Sequence, residues 1–251
     1  MLYPHPQIYH HLKAIFVHVP KAAGTSIEQR LLEMERGFSR PFPGPPPAPN
    51  PKGSSRPFPG PPPAPTPRGS SRPFPGPPPA PTPRGSVGGH TTARAYRRRF
   101  PEEFGAYYKF AVVREPVDRF LSAFHYLRQK PVHPALNNDP AHDCATAEEF
   151  AARLSADAGL AAKIVHLMPQ WEFVCDEQGT VLVDDVYRYE ALEFGWAAIC
   201  QRIGATYGPL PRLNPSRRPE PGDGAEEAGP ATLAFVRQYY ARDCEVFGYG
   251  I

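Results

Sequence analysis

Lys21, Gly24, Thr25 and Ser26 stand in the spacing Pro-Lys-x-x-Gly-Thr-Ser, directly behind the apolar run Ile15-Phe16-Val17-His18-Val19. These residue types can hold phosphate: lysine is a point charge, glycine lets an anion approach the backbone, and two hydroxyls donate hydrogen bonds. Ile27, Leu31 and Met34 then recur at intervals of four and three, which predicts a helix starting at about Thr25 or Ser26. The first N–H groups of such a helix lack internal partners and, with the positive end of the dipole, favour an anion. The order is not that of an NTPase loop, because Lys precedes Gly instead of following it. By itself the motif also reads as an ordinary strand-to-helix turn with a solvated lysine.

A second stretch, Lys109 to Phe124, repeats the plan of apolar strand, polar turn and helix. Val117, Phe120, Leu121 and Phe124 form its apolar stripe, and Pro116 suits a first helical turn, where its missing N–H costs nothing. Arg114 is thereby expected at the carboxyl end of a strand, where open α/β sheets collect ligands, with Ser122 near the start of the helix behind it. Upstream, Thr91 or Thr92 can cap a helix over residues 92 to 99. That places His90 beside a helix N-terminus, whose positive end keeps an imidazole neutral. A capping or surface histidine is the alternative. Glu102, Glu103 and His125 are further base candidates, His18 is expected to hydrogen-bond within the fold, and no histidine spacing suggests a metal site.

Together the Pro-Lys-x-x-Gly-Thr-Ser loop and the Val-Arg-x-Pro-x-x-Arg-x-x-Ser segment resemble the two signatures of PAPS-dependent sulfotransferases. More specifically, they resemble carbohydrate sulfotransferase family 2, including heparan sulfate 2-O-sulfotransferase-like and bacterial members. Gly89 to Ala93, His166 to Gln170, Tyr187 to Glu190, Leu213 to Ser216 and Tyr240 to Tyr249 look like further blocks of that family in its order. The resemblance implies an α/β, P-loop-like three-layer domain around a mostly parallel sheet. It also implies transfer of a sulfuryl group from 3′-phosphoadenosine 5′-phosphosulfate (PAPS) to a hydroxyl of a carbohydrate, without a metal. Lys21, Ala22, Gly24, Thr25 and Ser26 would hold the 5′-phosphosulfate, and Arg114 and Ser122 the 3′-phosphate. Lys21 would also act on the bridging oxygen, and His90 would be the base. Ala22 stands where many relatives carry Thr or Ser. Gln170, Asn214 and Ser216 are candidates for acceptor or secondary contacts, although Gln170 reads equally as a structural amide. Arg217 to Gly224 replaces a tyrosine-containing stretch expected after Asn214.

The chain has 251 residues, 36 of them proline, and a formal charge of +3. Ser39 to Ser86 consists of three near-identical 16-residue units that hold 21 of those prolines. With few donors and few apolar side chains it cannot pack a core, so a polyproline II or disordered insertion is expected. Residues 1–38 and 87–251 then form the two parts of one domain. The insertion carries six cations and no acids, leaving −3 elsewhere, which argues against nucleic acid as a partner. Its Pro-x-x-Pro and arginine pattern could dock an SH3-like partner or cover the acceptor cleft, or simply loop into solvent. Arg94, Arg97, Arg98 and Arg99 could meet an anionic glycan or form a solvated face.

Four cysteines without pairing motifs, and the lack of an apolar run suited to a signal peptide or membrane span, suggest a reduced, cytoplasmic protein. Downstream, Thr146 is expected to cap a helix from Ala147, Thr180 to Val186 to be a strand, Glu190 to Ile203 a helix, Pro211 to Gly229 a loop, and Ala231 to Val246 one closing helix. Two other function classes fit the residues: a P-loop-type kinase or NTPase, with Asp184 or Asp185 as its metal-holding acid, and an inactive sulfotransferase-like scaffold.

Overall fold

The computed structural model describes residues 7–37, 90–129, 140–157, 159–211 and 228–250. The three Pro-rich units, Asn214, Ser216 and the stretch Arg217 to Gly224 lie outside the described residues. Strands β1 (Ile8–Tyr9), β2 (Ala14–Val17), β3 (Tyr108–Val113) and β4 (Asp185–Arg188) form a four-stranded sheet in that order. Only the β1–β2 pair is antiparallel; β2, β3 and β4 run parallel, with Phe16 opposite Phe110 and Phe110 opposite Asp185. Every residue of β2 and the last four of β3 are buried. The sheet centre is therefore covered on both faces, as expected of parallel strands.

Helix α1 (Gly24–Gly37) follows β2 through the Pro20–Ala23 turn and buries Ile27, Leu31 and Met34. The short helices α2 (Ala93–Arg99) and α3 (Pro101–Ala106) lead into β3. Helix α4 (Pro116–Gln129) leaves β3 with Pro116 in its first turn and buries Phe120, Leu121 and Phe124. Two apolar clusters result. One joins the sheet to α1 and α2, and the other packs α4 against α5 (Ala147–Ala156) and, after the intervening α6 (Trp171–Val174) and α7 (Leu192–Arg202), against α8 (Pro230–Tyr239). Thr146 caps α5, its hydroxyl accepting from Glu149 N at 3.1 Å. Glu148 reaches out of the same turn to cap α8, accepting from Ala231 N at 2.6 Å and Thr232 N at 3.0 Å.

Three local expectations are corrected. The apolar stretch from Thr180 forms an isolated bridge between Val181 and Cys175, and strand pairing begins only at Asp185. β4 borders the sheet, so its half-exposed Asp-Val-Tyr-Arg sequence suffices where a central strand would be apolar throughout. The closing helix is broken: α8 ends at Tyr239 and α9 (Ala241–Phe247) starts after Tyr240. Burial of Tyr240, whose hydroxyl donates to the Leu167 carbonyl at 2.8 Å, and of Asp243 dictates the break. Ser122 lies in the middle of α4, not near its start.

Candidate active site

The turn between β2 and α1 is built against local preference. Lys21 and Ala23 have φ of 68° and 61°, a left-handed conformation that costs non-glycine residues about 1–2 kcal/mol each. Such a turn persists only where its surroundings impose it. Two arginines of the second segment do so. Arg114, just past the end of β3, donates from Nη1 to the Lys21 carbonyl at 3.3 Å, and Arg119 donates from Nη1 to the Pro20 carbonyl at 3.5 Å. With these carbonyls turned toward arginines, Ala23 accepts from Ser26 N and Ile27 N at 3.1 and 3.2 Å. Among the described residues no acceptor meets the Gly24 and Thr25 N–H groups. That leaves the donors of the helix N-terminus for an anion.

Gly24 serves a purpose the sequence reading did not assign. A Cβ there would overlap the His18 imidazole, which lies across the start of α1. His18 is 4% exposed, stacks on Phe16 at 5.6 Å and has its Nδ1 4.0 Å from the buried Glu28 carboxylate. Against His18 stands His90 at 4.7 Å between ring centroids, and beyond it His166 at 5.5 Å. Burial, then the neighbouring His90, His166 and Lys21, hold the His18 pKa well below the usual imidazole value. Burial also lowers the pKa of His90 to about 4; Lys21 adds to this and a hydrogen bond with the His18 backbone opposes it. Both rings are neutral near pH 7. The expected helix does begin beside His90, with Thr92 accepting from Ala95 N at 3.2 Å. Yet burial, not the helix end, is the main cause of the neutral ring.

Lys21 extends its ammonium over the Tyr126 ring, 4.0 Å from the centroid. Arg114 donates from Nε and Nη2 to Asp118 Oδ2 at 2.9 and 2.6 Å and lies 4.2 Å above the Tyr189 ring. Each terminal nitrogen keeps a second N–H for an anion. Ser122 is buried on the helix face that also carries Arg119 and Tyr126. Lys21, Gly24, Thr25, Ser26, His90 and Arg114 thus converge around one turn, while Ala22 is buried beneath it. Glu102 is exposed on α3, and His125 packs against Phe124. Arg94 pairs with Glu177 at 3.0 Å, and Arg97, Arg98 and Arg99 are exposed at the end of the same helix.

Gln170 does not line a cleft. It is fully buried, its Oε1 accepting from Arg114 N and its Nε2 donating to the Arg114 carbonyl, both at 2.8 Å. It is the structural amide, and its own N–H donates to the buried Asp243 at 2.9 Å. Gln170→Leu would orphan both Arg114 backbone groups, at about 1–3 kcal/mol each. The expected result is a loss of at least about 2 kcal/mol in denaturant unfolding; an unchanged midpoint would show that water replaces the amide.

Sequence reasoning named His166 only as part of a block and missed Tyr126, Asp118 and Glu28. Asp118 had a weak signal, four residues after Arg114 on a helix; the aromatic and histidine partners had none. Asp184 and Asp185 lie at the amino ends of the strands, away from the turn. Asp184 pairs with Lys109 Nζ at 2.9 Å, and Asp185 accepts from Tyr108 OH at 2.8 Å. A cavity of about 310 Å³ bounded by Tyr108, Lys109, Asp184 and Arg202 opens at that same far end. This placement takes the two carboxylates named for a kinase-type reading away from the turn.

Among the described residues no helix is long and apolar enough to cross a membrane. Cys144, Cys175, Cys200 and Cys244 are free thiols, and burial raises Cys175 and Cys200 to about 11, as befits inert packing groups. A family model described as "Sulfotransferase family" matches residues 7–250. No curated protein and no solved structure matches the chain.

Proposed function

Since the chain belongs to the sulfotransferase family and its chemistry is therefore sulfuryl transfer, we propose that its donor is PAPS and its acceptor a carbohydrate hydroxyl. PAPS supplies an activated sulfuryl group whose departure leaves adenosine 3′,5′-bisphosphate. The observation that carries this reading is the clasp between the two segments, in which Arg114 is bound to the Lys21 carbonyl at 3.3 Å. One rigid unit then offers cations and helix N–H donors to both phosphate ends of such a nucleotide.

In this reading Lys21 and the Gly24 and Thr25 N–H groups hold the 5′-phosphosulfate, with the Thr25 and Ser26 hydroxyls adding donors. The lost hydroxyl at Ala22 is offset by these backbone groups. Arg114 holds the 3′-phosphate; Ser122 lies on the same helix as the Asp118 carboxylate that orients the guanidinium. His90, neutral at pH 7, accepts the proton of the acceptor hydroxyl. Lys21 leaves the Tyr126 ring for the bridging oxygen and stabilises the negative charge that collects there. The exposed strip Arg97 to Arg99, on the helix that follows His90, suits an anionic carbohydrate.

Calorimetric titration with adenosine 3′,5′-bisphosphate tests the site directly. Micromolar binding that weakens in Arg114→Ala supports it, and a folded protein that binds nothing moves the inactive scaffold to the front. Lys21→Ala is expected to lower turnover at least tenfold, about 1.4 kcal/mol of barrier. Turnover close to that of the unaltered protein would remove Lys21 from the chemistry.

A further inference from the structure

His18, His90 and His166 come from stretches more than seventy residues apart, yet their rings form one row beside the turn. His18 is the buried floor and His90 the middle. His166 is the outer, half-exposed ring, edge-on to His90 at an interplanar angle of 78°. Its centroid is 4.7 Å from that of Tyr126, the same ring that carries the Lys21 ammonium. One tyrosine ring therefore contacts both an imidazole and the lysine.

The backbone repeats this coupling. Arg119, fully buried, donates from Nη1 to the carbonyls of both Pro20 and His166, at 3.5 and 3.3 Å, and from Nη2 to the Met168 carbonyl at 2.8 Å. The stretch carrying His166 and the turn carrying Lys21 are thus fastened to one guanidinium. Charge around the row favours an anion: Lys21 and Arg114 are the nearby cations, Asp118 is bonded to Arg114, and Glu28 lies buried behind His18, accepting from Gln7 Nε2 at 3.1 Å. A neutral imidazole carries one N–H donor beside its accepting nitrogen, and that N–H suits an anion drawn in by these cations.

We propose that His166 is a sulfonate-binding residue, its ring N–H donating to an oxygen of the sulfuryl group held beside Lys21. This rests on the reading of the turn as the phosphosulfate site. In the transfer the acceptor oxygen bonds to sulfur, and the bond from sulfur to the bridging oxygen breaks with its electron pair left on the 5′-phosphate. The acceptor proton passes to His90. His166 keeps its own proton throughout and acts only on charge.

The test is calorimetric titration, without acceptor, of the unaltered protein, His166→Ala and His166→Gln with two nucleotides that differ by the sulfuryl group, PAPS and adenosine 3′,5′-bisphosphate. His166→Ala is expected to weaken PAPS about tenfold, the worth of a hydrogen bond to a charged group, and to leave the bisphosphate unchanged. His166→Gln, which retains an N–H donor, is expected to keep most of the PAPS affinity. If the unaltered protein binds both nucleotides but alanine weakens both equally, or neither, the role of His166 is overturned while the nucleotide site stands. An unaltered protein that binds neither overturns the nucleotide site, and the role of His166 with it.

Discussion

Gly24→Ala is expected to destabilise the protein by about 3 kcal/mol and to abolish nucleotide binding, although it adds one methyl group at the start of a helix where alanine is ordinarily favoured. The added Cβ would occupy the space of the His18 imidazole. That ring has nowhere to go, since it is 4% exposed and lies between Phe16 and His90. Relief requires either the ring to push His90 outward or the turn to lift off α1, and both disturb the proposed site. For a chain of this length the loss corresponds to a thermal midpoint lower by roughly 6–12 °C. The double variant His18→Ala/Gly24→Ala is expected to recover most of that stability, because the clash is gone. A single Gly24→Ala variant that melts normally would mean that His18 has another place to sit.

Arg119→Met is the second large effect, expected at about 3 kcal/mol or more. The guanidinium is fully buried and spans three carbonyls from two loops. It also lies 5.0 Å from the Tyr240 ring and offsets the buried Asp243, whose pKa burial raises and Arg119 lowers. Methionine fills much of the volume but leaves the carbonyls and the carboxylate without their cation, the costly way to break a buried polar cluster. Arg119→Lys keeps the charge without the planar fork and is expected to recover little. Because the Pro20 carbonyl is released, bisphosphate affinity should fall with stability. Normal affinity in a destabilised Arg119→Met protein would show that Arg114 alone holds the turn.

Both predictions concern residues whose types were visible in the sequence and whose tasks were not. Gly24 read as an opening for an anion, whereas in the structure its missing side chain makes room for His18. Arg119 was one letter in a recurring segment, and Gln170 one of a Pro-Gln pair. The strand-turn-helix units around Lys21 and Arg114 were legible because apolar spacing, a proline in the first turn and a threonine cap are short-range signals. Where such signals were weak, the reading slipped. The stretch from Thr180 was too apolar to suggest a turn, and nothing local announced that Tyr240 would interrupt a continuous helical pattern.

By itself the sequence determined the chemistry on offer: a lysine-glycine turn behind a strand, an arginine at the end of another, a histidine before a capped helix, and three Pro-rich repeat units. These follow from residue type and from periods of two to four residues, which backbone geometry imposes locally. The tertiary structure alone decided which of these groups meet. The bonds that shape the site join residues far apart in the chain, from Arg119 to Pro20 across 99 positions and from Gln170 to Arg114 across 56. Their partners are selected by burial, because an arginine or amide removed from water must find acceptors wherever packing brings them. No local period encodes that choice.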